Sequence, residues 1–123
     1  MRTLGEFYKE KILVRNDLDL RELPSYSGEI RVEKDLFGWK LYLDKNFIDC
    51  RSEEEARFLK VFLQAGMTEV NIPRDQVYLK SILPELENLK MKIDQIVNSY
   101  LETILDRKIK ERVKREVFME ITK

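Results

Sequence analysis

Histidine is missing from this 123-residue chain altogether. Its absence removes Ser-His and Cys-His nucleophile pairs, histidine general bases and the mixed histidine sites that commonly hold zinc. Cysteine occurs once, at Cys50, so neither an internal disulfide nor a thiolate metal site can be built, and a reducing, cytoplasmic setting is expected. Cys50 ends an apolar stretch, which reads as a small buried hydrophobe. Glycine stands only at 5, 28, 38 and 66, too scattered for a loop that cradles phosphate. No apolar run approaches the roughly 20 residues of a membrane helix. The opening "MRTLGEFYKEKILV" mixes charge into its apolar residues, unlike a secretory signal. No catalytic residue, metal ligand, cofactor or small-molecule substrate can be named from this inventory.

Net charge is missing too. The 23 basic and 23 acidic residues cancel, whereas a nonspecific polyanion binder usually shows a basic surplus. Charge itself is abundant, at 37% of residues against roughly 25% in ordinary soluble domains, a pattern that fits a heat-adapted source. A metal-dependent nuclease would need acids converging with a lysine. The acids of "EIRVEKD" instead alternate with Arg31 and Lys34 as cross-strand ion pairs would, and Glu53, Glu54 and Glu55 belong to a helix start. These features point away from an enzyme.

The pattern of apolar residues describes one α+β domain. "TLGE" at 3–6 has the spacing of a capping box and opens a short helix to about Glu10, with "ILV" at 12–14 extended after it. Residues 15–28, "RNDLDLRELPSYSG", read as a long connection. From Gly28 the period becomes two. Ile30 and Val32 share one face, Trp39, Leu41 and Leu43 another, with "DLFG" turning the chain between them and "FIDC" adding a third strand. In "SEEEARFLKVFLQAG", Ser52 and Glu55 form a capping box, Phe58, Leu59, Phe62 and Leu63 an apolar stripe, and Gly66 a left-handed C-cap. "TEVNIP" follows as a strand. The result is a small antiparallel β-meander with a capped helix on one face, β-β-β-α-β over 28–73.

Asp75 caps a short helix, "QVYLKSIL", and Pro84 falls in the first turn of another. Leu86, Leu89, Ile93, Ile96 and Tyr100 then recur in heptad rhythm, and Val97, Leu101, Leu105, Ile109 and Val113 form a second stripe. Unbroken from 85 to about 116, this C-terminal helix would be roughly 48 Å long, on a globule about 30 Å across. Either it breaks near Asn98-Ser99 or it projects toward another chain.

The solvent face of the hairpin carries Arg31, Glu33, Lys40 and Tyr42, and an antiparallel ribbon of this kind can enter a DNA groove. Over residues 29–63, a hairpin, a short strand and "SEEEARFLKVFL" resemble the three-stranded arm-binding domains of phage-type integrases. "KIDQIVNSY" at 92–100 is similar to the closing helix of some adenine-specific DNA methyltransferases, which would imply a detached accessory or recognition piece. The basic stretch "RKIKERVKR" at 107–115 spreads Arg107, Lys108, Lys110, Arg112, Lys114 and Arg115 over an arc of about 200° on a helical wheel. That is wide for a strip tracking phosphates, and it suits the wet back of a packed helix.

Two functions follow as expectations. The first is a non-catalytic interaction module that self-associates or binds a protein partner through its long C-terminal helix, using Leu89, Ile93, Ile96, Tyr100 and Ile104. The second is a small nucleic-acid-binding protein, accessory to DNA modification or recombination, using Arg31, Lys40, Tyr42 and the basic residues of 107–115. Neither involves a membrane.

Overall fold

The computed structural model describes residues 3–26 and 28–101, with side chains described through Asn98. Helix α1, Leu4–Phe7, runs directly into one π-helical turn, Tyr8–Ile12. Thr3 caps it, its Oγ1 accepting the Glu6 N–H at 3.0 Å. The Leu13 N–H reaches back five residues to the Tyr8 carbonyl at 3.0 Å. A turn one residue longer than an α turn stacks Ile12, rather than Lys11, over Phe7. Ile12 is therefore buried in a helical turn and not extended, and Leu13 and Val14 are exposed.

The stretch 15–28 is not all connection. It contains strand β1, Leu18–Glu22. Strands β2 (Ile30–Asp35), β3 (Gly38–Leu43) and β4 (Asn46–Cys50) follow, then helix α2 (Glu53–Gln64), strand β5 (Glu69–Pro73) and helix α3 (Gln76–Leu101). β2, β3 and β4 form the expected meander, but β5 leaves it and pairs antiparallel with β1 in a second sheet. The meander register is regular. Ile30 opposes Leu43, Val32 opposes Leu41 and Asp35 opposes Gly38 across a two-residue turn. Leu41 opposes Ile48 on the other side. Ile30, Leu41, Leu43 and Ile48 are buried beneath α2, while Trp39, at the sheet's end, is only half-buried, the Lys34 ammonium lying 6.0 Å from its ring.

Helix α2 starts and stops where its sequence demands. Ser52 Oγ accepts the Glu55 N–H at 3.1 Å. At the other end Gly66 adopts φ 87°, its N–H bonding the Leu63 carbonyl at 3.0 Å and that of Met67 the Phe62 carbonyl at 3.2 Å, the paired bonds of a Schellman cap. Phe58 and Phe62 stack at 4.9 Å, with Tyr8 5.4 Å from Phe62, at the centre of the core.

Helix α3 corrects a second expectation. Asp75 does cap it, Oδ1 accepting the N–H groups of Val77 and Tyr78 at 3.0 and 3.1 Å, but the helix continues through Pro84 to Leu101. A proline inside a helix removes one backbone bond and crowds the preceding turn. Here Leu79, Ile82, Leu83, Leu86, Leu89, Ile93 and Val97 are all buried on one side of the same helix. That continuous apolar face holds the axis together across the missing bond.

Glu55 does not close its capping box. Its side chain is 0% exposed and its carboxylate is gripped from two elements. Arg21 of β1 donates to Oε1 at 2.5 Å, and Arg51 donates to Oε2 at 2.8 Å. Arg21 also donates to the Asp49 carbonyl at 2.7 Å, and Arg51 pairs with Asp19 at 3.2 Å. The group thus joins α2, the two-stranded sheet and the meander. Because both arginines are partly in water, replacing Glu55 with Ala should cost about 2–3 kcal/mol, less than the roughly 3–5 kcal/mol of breaking a fully buried pair. Urea unfolding of Glu55→Ala measures it, and an unchanged midpoint would refute the role.

Candidate functional site: the hairpin face, its tip and its open edge

The outer face of the meander brings together the sheet residues singled out from sequence. Arg31 opposes Tyr42, which opposes Phe47, and Glu33 opposes Lys40, which opposes Asp49. None of the charges stands alone. Lys40 Nζ lies 3.0 Å from Asp35 and 3.9 Å from Asp49, with the Phe47 and Phe37 ring centroids at 4.6 and 5.5 Å. Its bond to Asp35 holds the ammonium above the usual lysine range. Asp35 is held below the usual carboxylate range, first by the Phe37 N–H and then by Lys40. Arg31 pairs with Glu33 at 3.1 Å, its guanidinium 5.8 Å from the Tyr42 ring. Tyr42 Oη donates to Asp35 at 3.3 Å. Two cations face three carboxylates, so the surface is slightly acidic.

At the end of the hairpin, Leu36 is 98% and Phe37 is 88% exposed. Two-residue hairpin turns normally take Gly, Asn or Asp. Here Asp35 Oδ1 accepts the Phe37 N–H at 2.8 Å, and Gly38, with φ 116°, takes up the twist, while neither Leu36 nor Phe37 has a positive φ. The turn needs nothing from two large apolar side chains. Sequence reading passed over them as "DLFG", although apolar residues at turn positions were the available signal.

The third feature is an edge. Among the described residues, β2 has a strand on one side only. The closing pair of a two-residue hairpin exchanges both backbone hydrogen bonds, and such pairs alternate along the ladder. Asp35, Glu33 and Arg31 therefore bond toward β3, and Lys34, Val32 and Ile30 turn their N–H and C=O groups outward. The same alternation from Leu43–Asn46 turns the Asp49 carbonyl to the outside of β4, where Arg21 donates to it. Thus a side chain takes one outward carbonyl of the β4 edge.

The proposed helix interface divides. Leu89 is 6% and Ile93 is 1% exposed, both consumed by the chain's own core, whereas Ile96 is 56% exposed. The buried stripe passes through Val97 instead of Ile96, because α3 packs on α2 along the 86-89-93-97 line. The side chains of Tyr100 and Ile104, and the basic run 107–115, lie outside the described residues.

Elsewhere, charged side chains line a cleft of about 370 Å³ between α2 and α3, where Arg57 pairs with Glu87 and Lys90 with Asp94. Among the described residues no group of acids and cysteine could hold a metal ion, and no helix is long and apolar enough to cross a membrane. A cleft of about 250 Å³ beside Leu23, Tyr26, Leu63 and Met67 carries no carboxylate, amine or thiol. Arg15 holds Asp17 at about 2 through a side-chain hydrogen bond and lies 3.8 Å over the Tyr78 ring, a clamp between the N-terminal segment and the start of α3. Comparison with family models, curated proteins and solved structures returned no match.

Burial, and then the Glu55 carboxylate, push the Cys50 thiol up to about 12. A thiol so rarely ionised is a poor nucleophile. Native protein at pH 8 should react with a disulfide reagent at least about tenfold more slowly than protein unfolded in urea; equal rates would contradict this placement.

Proposed function

We propose that this chain is a non-catalytic interaction module whose contact surface is the meander: the Leu36-Phe37 tip, the adjoining Phe47 and Tyr42, and the open β2 edge. The observation that carries the reading is the near-complete exposure of two adjacent large apolar side chains at a turn that gains nothing from them. Anchors of this kind contribute most of the binding energy when a partner desolvates them. The long C-terminal helix supports the reading less than its rhythm suggested, since Leu89 and Ile93 serve the core.

The nucleic-acid reading draws less support from the sheet. Arg31 and Lys40 are matched by Glu33, Asp35 and Asp49, and counterion release needs unmatched cations. Its remaining support is the basic run 107–115.

Leu36→Ser/Phe37→Ser should leave the unfolding free energy within about 0.5 kcal/mol of wild type, as surface changes do. Used as bait in an extract of the source cells, wild type should retain a stoichiometric protein that the double variant releases. Identical retention by both baits would refute the tip as anchor. Retention that yields to nuclease treatment would favour nucleic acid instead.

A further inference from the structure

We infer that the partner taken by the β2 edge is a second copy of this chain, paired antiparallel about Val32. The inference rests on the interaction-module reading and supplies its occupant. Val32 is one of the residues whose N–H and C=O point outward, so Val32 can face Val32 of the second copy as a doubly hydrogen-bonded pair, with Ile30 facing Lys34 beyond it. Arg31 then faces Glu33 of the second copy, and Glu33 faces Arg31, in the closely spaced, non-hydrogen-bonded positions where side chains approach best. The ion pair already present within each strand, 3.1 Å between Arg31 and Glu33, joins that of the other copy in an alternating quartet across the two-fold axis.

The central charges favour this register over those about Glu33 and Arg31. Moving the axis to Glu33 sets Glu33 against its own copy, and moving it to Arg31 sets arginine against arginine. A one-residue slip faces the outer side of one sheet with the inner side of the other. At the rim, Glu29 meets Asp35, whose charge is already answered by Lys40 at 3.0 Å. The join makes one six-stranded sheet, and it carries each Leu36 to the level of the other copy's Gly28. Gly28, at φ 81°, has nothing within 4 Å of where a Cβ would stand, so there is room to seat an apolar side chain.

Charge exchange tests the pairing. Arg31→Glu and Glu33→Arg each turn both cross-strand pairs repulsive, and each should weaken self-association by about tenfold. Mixing the two variants restores both pairs, so sedimentation should show a heterodimer as strong as the wild-type dimer. Val32→Pro removes an outward N–H that the monomer does not use, and should abolish association with the fold intact by circular dichroism. A wild type that stays monomeric to about 1 mM would overturn the second copy as occupant. Single variants as dimeric as wild type, or a mixture no stronger than its components, would overturn the β2 edge. Either failure leaves the module reading to the extract experiment with Leu36 and Phe37.

Discussion

A carboxylate out of reach of water is expensive unless its charge and lone pairs are answered. Glu55 meets that condition through Arg21 and Arg51, which arrive from β1 and from the turn preceding α2. Each arginine has a second acceptor, the Asp49 carbonyl for one and Asp19 for the other. The two sheets share no backbone hydrogen bond in the strand ladders. Their relative placement follows from this ion cluster and from the aromatic core around Phe58 and Phe62, which α2 presents to both.

The same cluster makes the meander asymmetric. Arg21 occupies one outward carbonyl of β4, while β2 keeps its outward groups and ends in Leu36 and Phe37. Natural edge strands are commonly blunted by charges, prolines or bulges. β2 is charged, but its charges are arranged as their own complement about Val32, which disfavours pairing centred on Arg31 or Glu33. An edge of this kind acts as a selective join, on a scaffold that the Glu55 cluster holds in place.

Much of the fold was legible because it rests on local rules. Ser52 with Gly66 bounded α2, period two marked the meander, and Asp75 capped α3. The failures were tertiary. "LDLRE" alternates as a strand should, but its flanking turn residues concealed β1, whose register exists only because β5 lies beside it. Pro84 argued for two helices, and a continuous buried face overrode it. Glu55 satisfied a capping-box pattern, and although Arg51 stands only four residues before it, nothing in the sequence could show that Arg21 of β1 would claim its carboxylate as well. On α3, Leu89 and Ile93 serve the core, because heptad rhythm does not distinguish a helix that seeks a partner from one that has α2. Arg31, Lys40 and Tyr42 were correctly placed on one outer face, yet the ion pairs that neutralise them depend on cross-strand register. The apolar residues of "DLFG" signalled the tip, whereas the open edge is visible only in three dimensions.

Amide hydrogen exchange along β2 tests the central claim, a scaffold that holds one strand edge open for its own copy. In dilute protein, Arg31, Glu33 and Asp35 should be protected and Ile30, Val32 and Lys34 should exchange freely, since only the first set bonds to β3. As concentration rises, protection should appear at Ile30, Val32 and Lys34 in step with dimer formation. Fast exchange at those three amides in a fully associated sample, or protection that ignores concentration, would contradict it.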